Sequence, residues 1–380
     1  MTQTVATTAL SSLISESDAP SVFERAASSD KLGLGEIESL LKSNDLHLLS
    51  LLADRVRKQI VGDTVTYIPN IVLNYTNYCI VRCHFCAFYR DVGSDAGYTL
   101  PVEKVAERVA NAWNQFSIKQ ALIQGGVNPD CGVEYFEEMF RTVKERTRGE
   151  VAIHGLSTSE VEYVAKKEKM SVRELLSRLK VAGLDSLPGA GAEILVDRVR
   201  KSVGRALSTT EGWLRTMREA HELGLPTSAT MVYGLGETDA ERAKHLILIR
   251  ELQEKTGGFM AFIPWNFEPG QTRLEKEGRI VARMSGFEHL KITAVARIAF
   301  GSSIRNLQSS WLTNGISLAQ LTLAAGANDW GGTLYDEEVI PATGKQVGNL
   351  HAKYIIDAVK QIGRPIAERD NFYNIIKYAQ

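Results

Sequence analysis

Cysteine is scarce in this chain: there are four in 380 residues, and three of them fall within eight positions. A secreted disulfide framework spreads its cysteines along a short chain, so that class is excluded and the bunching points to a metal or cluster site. Long apolar runs are also missing, since no stretch approaches the ~18 residues of a membrane span. The first residues, MTQTVATTALSSLISESDAP, show no basic segment leading into an unbroken apolar one. No export signal is read there, and the expected location is the cytoplasm. Net charge is nearly absent, with 44 Lys and Arg against 45 Asp and Glu. That leaves no basic footprint for nucleic acid, so a small molecule is the expected substrate. No repeat with a period of 20–50 residues and no low-complexity linker divides the chain.

What is present is enough apolar residue, 44%, for one large core. Residues 1–20 are rich in Ser, Thr and Ala with little periodicity, as in a frayed tail. From Gly35 to Gly62, Ile37, Leu40, Leu41, Leu48, Leu51, Leu52 and Val56 recur at three and four, predicting two amphipathic helices. Short apolar runs then alternate with helical patterns from IPNIVLNYT through QALIQGG, VAIHGLS, LDSLPG, TSATMVYG, FMAFIPW and IRNLQSS to GANDWGG. Eight strand–helix units predict a closed (β/α)8 TIM-type barrel, with a doubly wound open sheet as the other arrangement such alternation permits. The division this implies is an N-terminal tail and helical extension over 1–66, the barrel over 67–335 and a C-terminal helical extension over 336–380.

Cys79, Cys83 and Cys86 lie in NYTNYCIVRCHFCAFYR, spaced by three residues and then two. One short loop of this kind wraps thiolates around three corners of a 4Fe–4S cubane and leaves the fourth iron open. An open iron can chelate S-adenosylmethionine and pass an electron into its sulfonium, releasing methionine and a 5'-deoxyadenosyl radical. The alternative is a zinc site built from the same cysteines with His84. CxxxCxxC with Phe85 just before the third cysteine resembles the signature of the radical S-adenosylmethionine superfamily. The segments CAFYR, IQGGVNPD, IHGLSTSEV, LDSLPGAGAEILVDRVR, TGGFMAFIPWNFEP and LQSSWLTNG resemble the cyclic dehypoxanthine futalosine synthases of menaquinone biosynthesis, over about residues 65–375.

The resemblance implies a radical cyclase acting on dehypoxanthine futalosine. The radical takes hydrogen from the ribose 4-prime carbon, which then attacks the benzoate ring and gives a spiro-cyclic product. It also implies an electron donor such as flavodoxin or ferredoxin. Aminofutalosine synthase and the tyrosine-using half of deazaflavin (FO) synthase share much of the pattern, and GANDWGGTL resembles the latter, whereas LDSLPGAGAEIL and AFIPWNFEP favour the cyclase. VYGLGET departs from the YGH pattern of these families, with Leu235 at the histidine's place.

Several residues at strand ends follow as site candidates. Gln124, Gly125 and Gly126 close one strand, where paired glycines admit the cosubstrate's amino group. Glu193 follows a glycine-rich strand end and is suited to the adenosyl ribose hydroxyls. Among the neighbouring Asp197, Arg198 and Arg200, an arginine, Arg198 being the choice, would fork onto a carboxylate. His154, expected at the barrel mouth with Ser157, is the candidate proton acceptor. Tyr233, Glu237, Trp265, Asn266, Glu268, Gln308, Ser309, Ser310, Asn328 and Asp329 fill out a polar, partly aromatic cavity. Cys131, isolated after Pro129 and Asp130, is expected to be an unreactive thiol.

Overall fold

A computed structural model describes residues 2–204, 208–280 and 282–379. Four helices come first, Thr2–Ser15, Pro20–Ala27, Leu34–Lys42 and Leu46–Val61. The two predicted from Gly35 to Gly62 are there. The tail is a helix as well, docked through Ile14, which joins the same core as Phe23 and Leu40.

Among the described residues eleven strands follow: β1 (Val65–Ile68), β2 (Asn70–Asn74), β3 (Gln120–Gln124), β4 (Ala152–Gly155), β5 (Leu184–Ser186), β6 (Thr227–Tyr233), β7 (Phe259–Asn266), β8 (Asn306–Leu307), β9 (Asp329–Gly332), β10 (Ile366–Arg369) and β11 (Ile375–Tyr378). β1 and β2 are one path interrupted at Pro69, which has no N–H to give the ladder. From β2 the sheet runs in parallel through β3, β4 and β5. A single bridge, Leu187 to Thr227, carries it to β6, and β7 and β8 follow. Gln308 bridges to Asp329, β9 pairs with β1, and Tyr335 bridges to Ile71. The ring therefore closes as a (β/α)8 barrel, and the open-sheet arrangement is excluded.

Period-two alternation explains which side chains face which way. Along NIVLN and QALIQ, Ile71, Leu73, Ala121 and Ile123 face the helices, in a core with Val105, Phe136 and Phe140. Asn70, Asn74, Gln120 and Gln124 face the lumen. A barrel lumen is usually packed with branched apolar side chains. Here amides stand among apolar side chains such as Val72 and Leu122, and the lumen holds a cavity of about 340 Å³.

The C-terminal extension differs from the all-helical expectation. After the helix Ala352–Gln361 the chain forms a hairpin, β10 running parallel to β1 and antiparallel to β11. Segments as short as IAER and IIKY carry too few residues for a period to show, so they read as the continuation of the helical pattern before them. The barrel's first strand also starts at Val65, two residues before the expected boundary.

Candidate active site

Tyr75 to Arg90 form the loop after β2. Arg90 fixes its far end by donating to the carbonyls of Ala87, Phe88 and Tyr89 at 3.0, 3.2 and 2.8 Å. All three loop cysteines are free thiols. Cys79 Sγ accepts the Val127 N–H at 3.3 Å, the Cys86 N–H reaches the Cys83 carbonyl at 3.1 Å, and Cys86 with Phe85 faces the cavity. Among the described residues no three His, Cys, Asp or Glu side chains converge closely enough for one ion. A cubane does not ask that of them, because each thiolate takes a different iron. The zinc alternative needs His84 as a ligand, but its Nδ1 lies 3.2 Å from Arg279 Nη1, and its backbone is tied to Val203 and Leu274.

The Gly125–Gly126 pair is explained by close approach. A Cβ on Gly126 would lie 2.2 Å from the Tyr78 carbonyl oxygen, and one on Gly125 would lie 2.8 Å from the Tyr75 ring. The glycines therefore let the cysteine loop lie directly on the end of β3. Behind them the buried Glu160 accepts from Tyr75 Oη at 2.6 Å, the Gly125 N–H at 3.2 Å and Ser157. Ser157 caps the helix Thr158–Lys167 and takes no place in the cavity.

Among the described residues, five buried polar atoms on the cavity wall have no hydrogen-bond partner: Asn74 Oδ1, Gln124 Nε2, Glu193 Oε2, Ser310 Oγ and Trp330 Nε1. Orphans of this kind are rare unless a ligand or water completes them. They fit a polar cosubstrate and substrate seated between the cysteine loop and the far wall. Glu193 is buried in left-handed backbone at φ 41°. Burial pushes its carboxyl up, against the pull of Arg200. Arg200, itself buried, holds that loop by donating to the carbonyls of Gly191, Ala192 and Ser208.

Arg198 is not in the site. Its side chain is 58% exposed and forks onto Glu241 at 2.7 and 2.5 Å. Asp197 also stays outside, accepting the Thr210 N–H. A step of two along the helix leads from Arg198 to Arg200, which turns them to opposite faces. The inward one is the backbone clamp.

His154 lies partway down the barrel, level with Leu122 and Ser186, and not at the mouth. Its Nδ1 is 2.7 Å from Ser186 Oγ and its Nε2 3.5 Å from Ser228 Oγ. Burial and the Arg369 charge push its pKa down to about 3, so it is a poor proton acceptor. Trp265, Asn266, Glu268, Gln308 and Ser310 line the cavity. Tyr233 is turned away to His289 at 2.7 Å, Glu237 binds Arg242, Ser309 donates to Trp330 and Asn328 accepts from Arg297. Cys131 is buried, and burial raises its thiol to about 12.

The floor comes from residues that sequence reasoning passed over. Asn371, just past β10, accepts from Gln120 Nε2 at 2.7 Å and donates to Ser186 Oγ at 3.0 Å. Arg369 clasps Asp329 with 2.9 and 2.8 Å bonds and lies 3.7 Å over the Tyr373 ring. All three of Arg369, Asn371 and Tyr373 face the cavity.

Residues 73–249 match the model of the radical SAM superfamily, and residues 256–380 match that of the CofH/MqnC C-terminal region. Cyclic dehypoxanthine futalosine synthase of Streptomyces coelicolor is 38% identical over 362 residues, 94% of this chain and 89% of that one. The 5-amino-6-(D-ribitylamino)uracil–L-tyrosine 4-hydroxyphenyl transferase of Methanocaldococcus jannaschii is also 38% identical, over 86% of this chain and 91% of its own. In fold, methylornithine synthase (PylB) superposes with a TM-score of 0.68 at 20% identity, over 90% of this chain and 96% of that chain. With the barrel, the three-cysteine loop and these full-length similarities in place, the chain belongs to the radical S-adenosylmethionine superfamily of enzymes, using a 4Fe–4S cluster and S-adenosylmethionine, in the family that holds the cyclic dehypoxanthine futalosine synthases and their tyrosine-using relatives.

Proposed function

We propose that the protein converts dehypoxanthine futalosine to cyclic dehypoxanthinyl futalosine on the futalosine route to menaquinone. One observation carries this choice within the family. The two segments whose resemblance favours the cyclases, LDSLPGAGAEIL and AFIPWNFEP, supply cavity wall: Pro188, Ala190, Gly191 and Glu193 from the first, and Trp265, Asn266, Phe267 and Glu268 from the second. Residues that face the substrate are where related enzymes diverge in specificity, since the fold is shared and the site is not.

Cys79, Cys83 and Cys86 are the ligands for the cluster, which with S-adenosylmethionine supplies the 5'-deoxyadenosyl radical. Gln124 and Glu193 offer a donor and an acceptor beside the cysteine loop, suited to the cosubstrate. Trp265 and Trp311 offer apolar faces for an aromatic ring, and the amide-lined lower cavity offers partners for hydroxyl groups. A flavodoxin or ferredoxin is the expected electron donor. A second reading, transfer of a tyrosine-derived hydroxyphenyl group to 5-amino-6-(D-ribitylamino)uracil, is favoured by the equal identity to the Methanocaldococcus jannaschii enzyme.

The deciding experiment is anaerobic incubation of the reconstituted enzyme with each substrate set. Dehypoxanthine futalosine should give a product two hydrogens lighter, and deuterium at its ribose 4-prime carbon should appear in 5'-deoxyadenosine. Inert dehypoxanthine futalosine alongside conversion of tyrosine with the aminouracil would assign the protein to the second reading.

A further inference from the structure

Most ionisable side chains on the cavity wall are already engaged. Arg369 is committed to Asp329, and Glu268 to Lys345 at 2.8 Å and Arg283 at 3.7 Å. His154 is bonded through both ring nitrogens, and Glu193 stands beside the cluster cysteines. Glu337 is different. It lies on the segment after β9, at the carboxyl end of the barrel where catalytic groups collect, and faces the cavity with Leu334 and Ile340.

Its carboxylate is held by backbone alone. Oε1 accepts the Val339 N–H at 2.8 Å, while Oε2 has only a share of the Ile340 N–H, at 3.0 Å. Among the described residues no cation pairs with it. On its own segment, Glu338 is the charge that acts on it, and Glu338 is itself taken by Tyr98 Oη at 2.7 Å and Arg108 at 3.6 Å. The cation on the segment that follows, Lys345, belongs to Glu268. Burial and the neighbouring Glu338 push the Glu337 carboxyl up to about 7, where a carboxylate is a useful base at neutral pH.

We propose that Glu337 is the catalytic base of this site, accepting on Oε2 the proton released when the cyclised ring radical recovers aromaticity, while Oε1 stays anchored on the backbone amides. The inference rests on the cyclase reading. At the attacked ring carbon the C–H bond breaks and the proton passes to Glu337. Of the bonding pair and the unpaired ring electron, two restore the aromatic π system and the third leaves to a one-electron oxidant, which an iron–sulfur cluster held by Cys79, Cys83 and Cys86 would supply. The carboxyl then returns its proton to water.

The test compares wild type with Glu337→Gln and Glu337→Asp, reading cyclised product per 5'-deoxyadenosine, deuterium transfer into 5'-deoxyadenosine, and calorimetric substrate affinity without reductant. Glu337→Gln should keep affinity and deuterium transfer but lose about 100-fold in product per 5'-deoxyadenosine, with partial recovery in Glu337→Asp. The wild-type ratio should rise with pH through about 7, because the base must be ionised, and Glu337→Gln should show no such inflection. An unchanged ratio in Glu337→Gln overturns the proposal, and so does loss of deuterium transfer in both variants, which would place the residue before the proton step. Wild type serves as the control on the reading itself. If it converts only the tyrosine and aminouracil pair, the cyclase reading fails and the ratio is read on that product, where a flat result in Glu337→Gln overturns the base assignment.

Discussion

Replacing Arg369 by Met should destabilise the enzyme through the barrel floor. Arg369 is 2% exposed and Asp329 is fully buried, and two hydrogen bonds join them at 2.9 and 2.8 Å. In the variant the Asp329 carboxylate keeps only two neutral donors, Thr66 Oγ1 at 2.6 Å and Tyr373 Oη at 3.3 Å. A buried charge stripped of its counter-ion costs roughly 3–5 kcal/mol. At about 2 °C per kcal/mol for a large domain, the thermal midpoint should fall by roughly 6–10 °C. Asp329→Asn combined with Arg369→Met removes both charges and should recover much of that loss, since the penalty lies in the unpaired ion. Scanning calorimetry of the anaerobically purified proteins reads both effects. A midpoint within about 1 °C of wild type for Arg369→Met, or a double variant that loses the sum of the two singles, refutes the reasoning.

Three further outcomes follow from the same geometry. Gly126→Ala drives a methyl into the Tyr78 carbonyl, so the reconstituted variant should hold much less iron and sulfide than wild type, and full loading would contradict the close approach. Arg198→Ala removes a surface pair worth under about 1 kcal/mol and should leave 5'-deoxyadenosine formation unchanged, whereas a large loss would return Arg198 to the site. His245 is fully buried and burial lowers its pKa to about 3. Kept neutral in the fold and protonated when unfolded, it contributes stability that is present above about pH 6.5 and lost as pH falls towards 3. The thermal midpoint of His245→Gln should therefore fall less between pH 7.5 and 5.5 than that of wild type, and parallel slopes would count against a buried neutral imidazole.

The barrel is legible in the sequence because each strand–helix unit carries its own pattern, as in QALIQGG, where alternation ends at the glycines that a neighbouring loop requires. The cluster ligands are legible because all three sit in one loop. The floor is not, since Asn371 meets Gln120 across 251 residues of sequence and nothing local marks either as a partner. Arg198 and Arg200 lie in one run, DRVR, and only the direction of the helix tells which of them turns inward. The pattern puts His154 on its strand and on the inward face, but strand order says nothing of depth, and depth sets its environment. Glu337 is hidden within a loop whose neighbouring acids, Asp336 and Glu338, look the same in sequence.

The central claim is that Cys79, Cys83 and Cys86 hold the cluster that starts the chemistry in this cavity. Its most direct measurement is 5'-deoxyadenosine formation from S-adenosylmethionine under dithionite, by wild type and by each cysteine-to-alanine variant after the same anaerobic reconstitution. Formation is expected from wild type and Cys131→Ala, and none from Cys79→Ala, Cys83→Ala or Cys86→Ala. Wild-type rates from any one of those three would contradict the claim.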